Sequence, residues 1–199
     1  MVLGGRGWMA GLLVLPVLAG CSVETHDGAH GDGKDVAIKT PLGGMSVKTD
    51  AAAVQSRLGL PLYPGAVLKK QSKGDDSSAD VNMSFGSFHL RVLAMGFESD
   101  DAPEKVSAFY RKALTEYSDV IECRGKQPIG KPEKTGLGLT CDDDGEGHSS
   151  TKKKHDNDET ELKAGSPSKQ HIVSFKAAGG GTEFGLVSLE LPRDSNKGS

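Results

Sequence analysis

Helical spacing of apolar residues is clearest in one stretch of this chain, and it limits the folds available. In DDAPEKVSAFYRKALTEYSD, residues 100–119, Val106, Phe109, Tyr110, Ala113, Leu114 and Tyr117 fall at i, i+3, i+4, i+7 spacing. That gives one apolar stripe, with Lys105, Ser107, Arg111, Lys112 and Glu116 on the wet side. Asp101 followed by Glu104 reads as a capping pattern, and Pro103 suits a first turn. Most other apolar residues alternate. Val81, Met83 and Phe85 are interleaved with Asn82, Ser84 and Gly86, and Phe88, Leu90 and Val92 lie opposite His89 and Arg91. Residues 36–49 read as a hairpin around Pro41-Leu42-Gly43-Gly44, and 50–59 as a short helix with an Asp50 cap and a closing Gly59. DVIECRG and GLGLTC read as two strands, and QHIVSFKAA with TEFGLVSLEL as a closing strand pair. The expected architecture is therefore α+β: a mostly antiparallel sheet with one long amphipathic helix packed on one face, plus a short helix.

The first residues have a different character. Arg6 is the only charge before Cys21, and an apolar run from Trp8 to Leu18 follows it. The run is too short for a bilayer, which takes ~20 apolar residues, and has the layout of a secretory signal. Leu18-Ala19-Gly20-Cys21 resembles the lipobox of bacterial lipoproteins. The resemblance implies that residues 1–20 are a signal peptide removed before Cys21, and that Cys21 carries a diacylglycerol on its thiol and an acyl chain on its amino group. It also implies a cell-envelope protein anchored on a membrane. Ser22 after the cysteine goes, by analogy with enteric lipoproteins, with the outer membrane, facing the periplasm.

Export leaves Cys123 and Cys141 in an oxidising compartment, and with Cys21 taken by lipid these two make one disulfide. Two free thiols are the alternative. After the anchor, residues 21–35 are polar and glycine-rich and read as a flexible tether. Residues 36–193 then form a single α+β domain. Residues 142–169, with Leu162 as their one large apolar residue, read as a disordered loop, and 194–199 as a polar tail.

The chemistry is sparse. Net charge is −3, and no basic patch is interleaved with aromatics, so no nucleic-acid partner is expected. No Gly-x-Ser-x-Gly elbow is present, which leaves a hydrolase only as an unrecognised alternative. Gly125 to Pro132 resembles a phosphate loop, but Pro132 stands where a Ser or Thr hydroxyl should hold Mg²⁺. Asp144, His148, His155 and Asp156 are the best metal ligands on offer. Three lysines run through that cluster, which favours a solvated mixed-charge loop. His26 and His30, four apart, lie in the tether and read as solvated. His89, Arg91 and His171 fall on expected strands and could line a small anionic site if they share one face. No cofactor is expected.

LPLYPGA, SFGSFHLRV and DAPEKVSAFYRKAL together resemble a group of uncharacterised bacterial envelope proteins with a Tyr-Pro-Gly-Ala entry and a Lys-Val…Phe-Tyr…Leu helix. The resemblance covers about a third of the chain and implies a fold without a chemistry. The resulting expectation is a membrane-anchored lipoprotein with a non-catalytic binding, accessory or structural role. Its partner would be another envelope protein or a cell-wall component, with a weak metal-binding protein as the alternative.

Overall fold

Alternation carries about half of the described residues into strands. The computed structural model describes residues 21–27, 34–70, 77–142 and 159–192. Its strands are β1 (Ser22–Asp27), β2 (Lys34–Thr40), β3 (Gly43–Lys48), β4 (Val67–Leu68), β5 (Ser78–Phe85) and β6 (Phe88–Ser99). They continue with β7 (Ile121–Arg124), β8 (Gln127–Pro128), β9 (Thr160–Ser166), β10 (Lys169–Ala178) and β11 (Gly181–Glu190). All join one 11-stranded sheet in the order β1-β2-β3-β5-β6-β11-β10-β9-β7-β8, with β4 on the side of β6. Every pairing is antiparallel.

Two short helices lie over the middle of this sheet, α1 (Ala51–Leu58) and α2 (Pro103–Leu114). In α1 the Asp50 carboxylate accepts from the Ala53 N–H at 2.8 Å, and Gly59 ends the helix at φ 77°. Val54 and Leu58 of α1 and Val106, Tyr110 and Leu114 of α2 are fully buried. They pack on Leu93, Met95 and Phe97 of β6, Phe184 and Leu186 of β11, Val173 and Phe175 of β10, and Leu162 and Ala164 of β9. Tyr63 joins the same core. Its ring meets Phe109 edge-on, its backbone N–H donates to the Tyr110 hydroxyl at 3.1 Å, and its own hydroxyl donates to Asp101 at 2.7 Å. Burial drives the Tyr110 phenol well above its ordinary range.

The α+β arrangement built on one long helix does not form. The structure is mostly antiparallel sheet with two short helices. The stripe over 100–119 yields only the 12 residues of α2. Thr115 ends it: its hydroxyl turns back to the Lys112 carbonyl at 2.7 Å, and its N–H takes the tighter bond to the same carbonyl. Tyr117 has the right spacing but serves elsewhere, stacked on His171. The capping expectation also changes. Ala102 sits at the N-cap without a side-chain bond, because Asp101 accepts instead from Tyr63 and Lys105.

Three further expectations are corrected. Within the tether expected over 21–35, the described residues Ser22–Asp27 are strand, β1 pairing with β2 from Ser22↔Lys39 to Asp27↔Lys34. The disordered loop expected over 142–169 gives way to β9 at Thr160. That strand is lodged between β7 and β10, and neighbours on both sides hold its backbone where its side chains are too few to do so. GLGLTC forms no strand beyond the bridge Lys134↔Thr140. The signal peptide at 1–20 and the tail at 194–199 lie outside the described residues.

Cys123 and Cys141 form the disulfide, with Cα atoms 5.7 Å apart. With Ile121 and Leu139 they make a second small core on the face away from the helices. Lys163 lies in it at 2% exposure, its ammonium donating to the Cys141 carbonyl at 3.4 Å and facing Glu161 at 3.3 Å. A charge that deep persists only with such partners.

Candidate functional site

His89, Arg91 and His171 share the helix-bearing face, because Arg91 pairs with Glu190 and His171 with Ser188 two positions along the same strand. They do not form one site. His89 is exposed at the end of β6. The Arg91 guanidinium binds Asp80 through Nη2 at 3.0 Å and Nε at 3.4 Å, and Arg57 reaches the same carboxylate at 3.0 Å. Asp80 is 4% exposed and belongs to the architecture, clamping α1 to β5 and β6. Asp80→Ala removes charged hydrogen bonds from two arginines that water can still reach, and should cost about 2 kcal/mol, read from urea unfolding.

His171 is buried under a lid. The Tyr117 ring stacks on it with centroids 3.6 Å apart, and the Tyr117 hydroxyl donates to the Gly59 carbonyl. Neither ring nitrogen of His171 has a hydrogen-bond partner among the described residues. Burial, helped by the nearby Lys169 charge and opposed by Glu190, pulls its pKa down to about 4. At neutral pH that favours an uncharged imidazole, packed under Tyr117 at 4% exposure.

A groove of about 410 Å³ opens where β6 ends and β11 begins. Glu98, Ser99, Asp100, Thr182 and Glu183 supply its polar groups, and Gly65 and Gly181 lie in its lining. A Cβ on Gly181 would come within 2.1 Å of the Ser99 carbonyl oxygen. Glu183 faces Lys69 at 2.6 Å and Lys176 at 3.3 Å, which hold its carboxyl below the usual carboxylate range. The Thr182 hydroxyl donates to the Asp101 carbonyl at 2.6 Å, fixing the floor. The groove offers hydroxyls and carboxylates, and its lining contains no histidine or cysteine. Such a surface can accept amide or cationic groups; it sets up no nucleophile with a base.

Asp144, His148, His155, Asp156 and His30 lie outside the described residues. Among the described residues no group of three or more His, Cys, Asp or Glu is placed to hold a metal ion. No helix among them is long and apolar enough to cross a membrane. Cys21 is an exposed free thiol at the start of β1.

Sequence reading passed over two features. The groove is assembled from strand ends distant in sequence, which no local motif signals. The other is apolar side chains at turns: Leu42 between Pro41 and Gly43, and Phe85 and Phe88 on either side of Gly86-Ser87. Turns are ordinarily polar, so those residues were a readable signal. No family model, no curated protein and no solved structure matches the chain.

Proposed function

We propose that this protein is a bacterial envelope lipoprotein, anchored through acyl chains on Cys21 and serving a binding or accessory role without catalysis. The observation that carries the reading is the division of the chain's three cysteines. Cys123 and Cys141 are bonded to each other, as export to an oxidising compartment permits, and Cys21 stays unpaired and exposed at the end of Leu18-Ala19-Gly20-Cys21. Two or more acyl chains suffice for stable membrane attachment. Ser22 favours the outer membrane, with the domain in the periplasm. The open groove at the end of β6, lined by hydroxyls and carboxylates, supports a role in holding another envelope protein or a cell-wall component.

Fractionation after acyl labelling tests the anchor. The wild-type protein should carry label and sediment with the outer membrane. Cys21→Ala should carry none and leave that fraction. An unchanged outer-membrane fraction for Cys21→Ala would remove the basis of the proposal.

A further inference from the structure

We propose that the Cys21 end of the sheet is a membrane-docking tip, where Leu42, Phe85 and Phe88, with Val23 and Ile38 beside them, enter the bilayer interface; this rests on the lipid anchor proposed above. Register brings these residues together. Ser22 pairs with Lys39, so Cys21 comes level with Thr40, at the β2–β3 turn that carries Leu42. Gly43 pairs with Phe85, and Phe85 with Phe88 across the β5–β6 turn. The Gly86 N–H donates to the Leu42 carbonyl at 3.3 Å, which fastens the two turns side by side. Val23 pairs with Ile38, and that pair lies on the same face of the sheet as Phe85 and Phe88, away from the helices.

These five are among the nine large apolar side chains that are exposed in the described residues, so more than half gather around the anchor. Leu42 is 83% exposed and Val23 66%. Leaving such side chains in water at two neighbouring turns has no folding benefit, because neither turn needs a leucine or a phenylalanine for its geometry.

The position of Cys21 selects the occupant. The strand begins at Ser22, so no tether separates the acylated residue from the tip. A bilayer that holds the lipid is thereby held against Leu42 and Phe88. Their insertion becomes an intramolecular step at high effective concentration, and a protein partner would have to displace the membrane to reach them. The 12 residues of β6 then run roughly 40 Å away from the tip and carry the groove toward the far side.

Tryptophan quenching tests this. Trp8 is the chain's one tryptophan and lies in the segment that cleavage before Cys21 removes, so the acylated protein is itself a dark background for single probes at Leu42→Trp, Phe88→Trp and, as a distant control, Leu137→Trp. The acylated protein, extracted from envelopes, is placed in phosphatidylethanolamine–phosphatidylglycerol vesicles with bromine on the acyl chains. Both tip probes should shift to the blue and lose intensity to bromine, and the Leu137→Trp probe should do neither. Tip probes that remain unquenched on protein that floats with the vesicles would overturn the docking tip and leave the anchor standing. Tip probes that shift to the blue without quenching would also overturn it, since a second copy or a protein partner would then cover the patch. Protein that carries no acyl mass and does not float would overturn the anchor reading itself. Using two probes at exposed turns guards against one substitution disturbing the fold.

Discussion

Lowering the pH from about 7.5 to about 5 should destabilise the domain by about 2 kcal/mol, most of it through His171. The folded protein holds this imidazole near 4 by burial, whereas an unfolded histidine sits near ~6.5. Between those values the unfolded chain binds the proton and the folded one does not, so stability falls as pH falls. The contribution is complete above about pH 7, and about 3 kcal/mol is lost once pH passes below 4. Carboxylates with lowered pKa values, such as Asp101 and Glu183, act in the same direction but only at lower pH, below the ordinary carboxylate value. The upper part of the window therefore isolates the histidine. His171→Phe should keep the stack on Tyr117 and flatten the profile between about pH 7.5 and 5. Urea midpoints across that range measure it. A slope that survives His171→Phe would show that another group titrates in the core.

Removing the disulfide should cost about 3 kcal/mol, because the bond closes a loop of 18 residues that the unfolded chain would otherwise leave free. The Cys123→Ser, Cys141→Ser double variant also puts two hydroxyls where the second core holds sulfurs beside Ile121 and Leu139. It loosens as well the segment whose Cys141 carbonyl accepts from buried Lys163. The urea midpoint should drop by about 1–2 M, with the pairing of β7 to β9 among the first hydrogen-exchange protection to be lost. A midpoint within error of wild type would mean that the loop between Arg124 and Thr140 is held by its other contacts alone.

What the sequence reveals here tracks how much of each element is self-sufficient. The disulfide was readable because the expectation of a lipid on Cys21 leaves Cys123 and Cys141 as one pair. The strands with clean alternation, β5, β6, β10 and β11, were readable because each carries large apolar side chains at successive alternate positions. β9 was not. TELKAGS offers only Leu162 and Ala164 to the main core, and its remaining hold comes from two flanking strands that no local pattern announces. β1 was hidden likewise, with Val23 as the single large apolar residue in SVETHD. The helix over 100–119 was overextended because periodicity cannot distinguish a tyrosine that continues a stripe from one that leaves the helix to cover a histidine.

The same logic applies to the site residues. His171 was read as a possible lining of a small anionic site, yet it alternates in register with Val173 and Phe175, both in the core, and that parity was available in QHIVSFKAA. Arg91 was read as a ligand group because its partner, Asp80, is a residue of the opposite strand. The apolar turns were visible as residues but had no meaning until register placed Leu42 and Phe88 beside Cys21.

The lipid on Cys21 is the claim on which compartment and docking tip depend, and the mass of the N-terminal peptide from envelope-extracted protein addresses it most directly. The account predicts a peptide that begins at Cys21 and is heavier by a thioether-linked diacylglycerol and an amide-linked acyl chain. A peptide that retains residues before Cys21, or a Cys21 of unmodified mass, would contradict it.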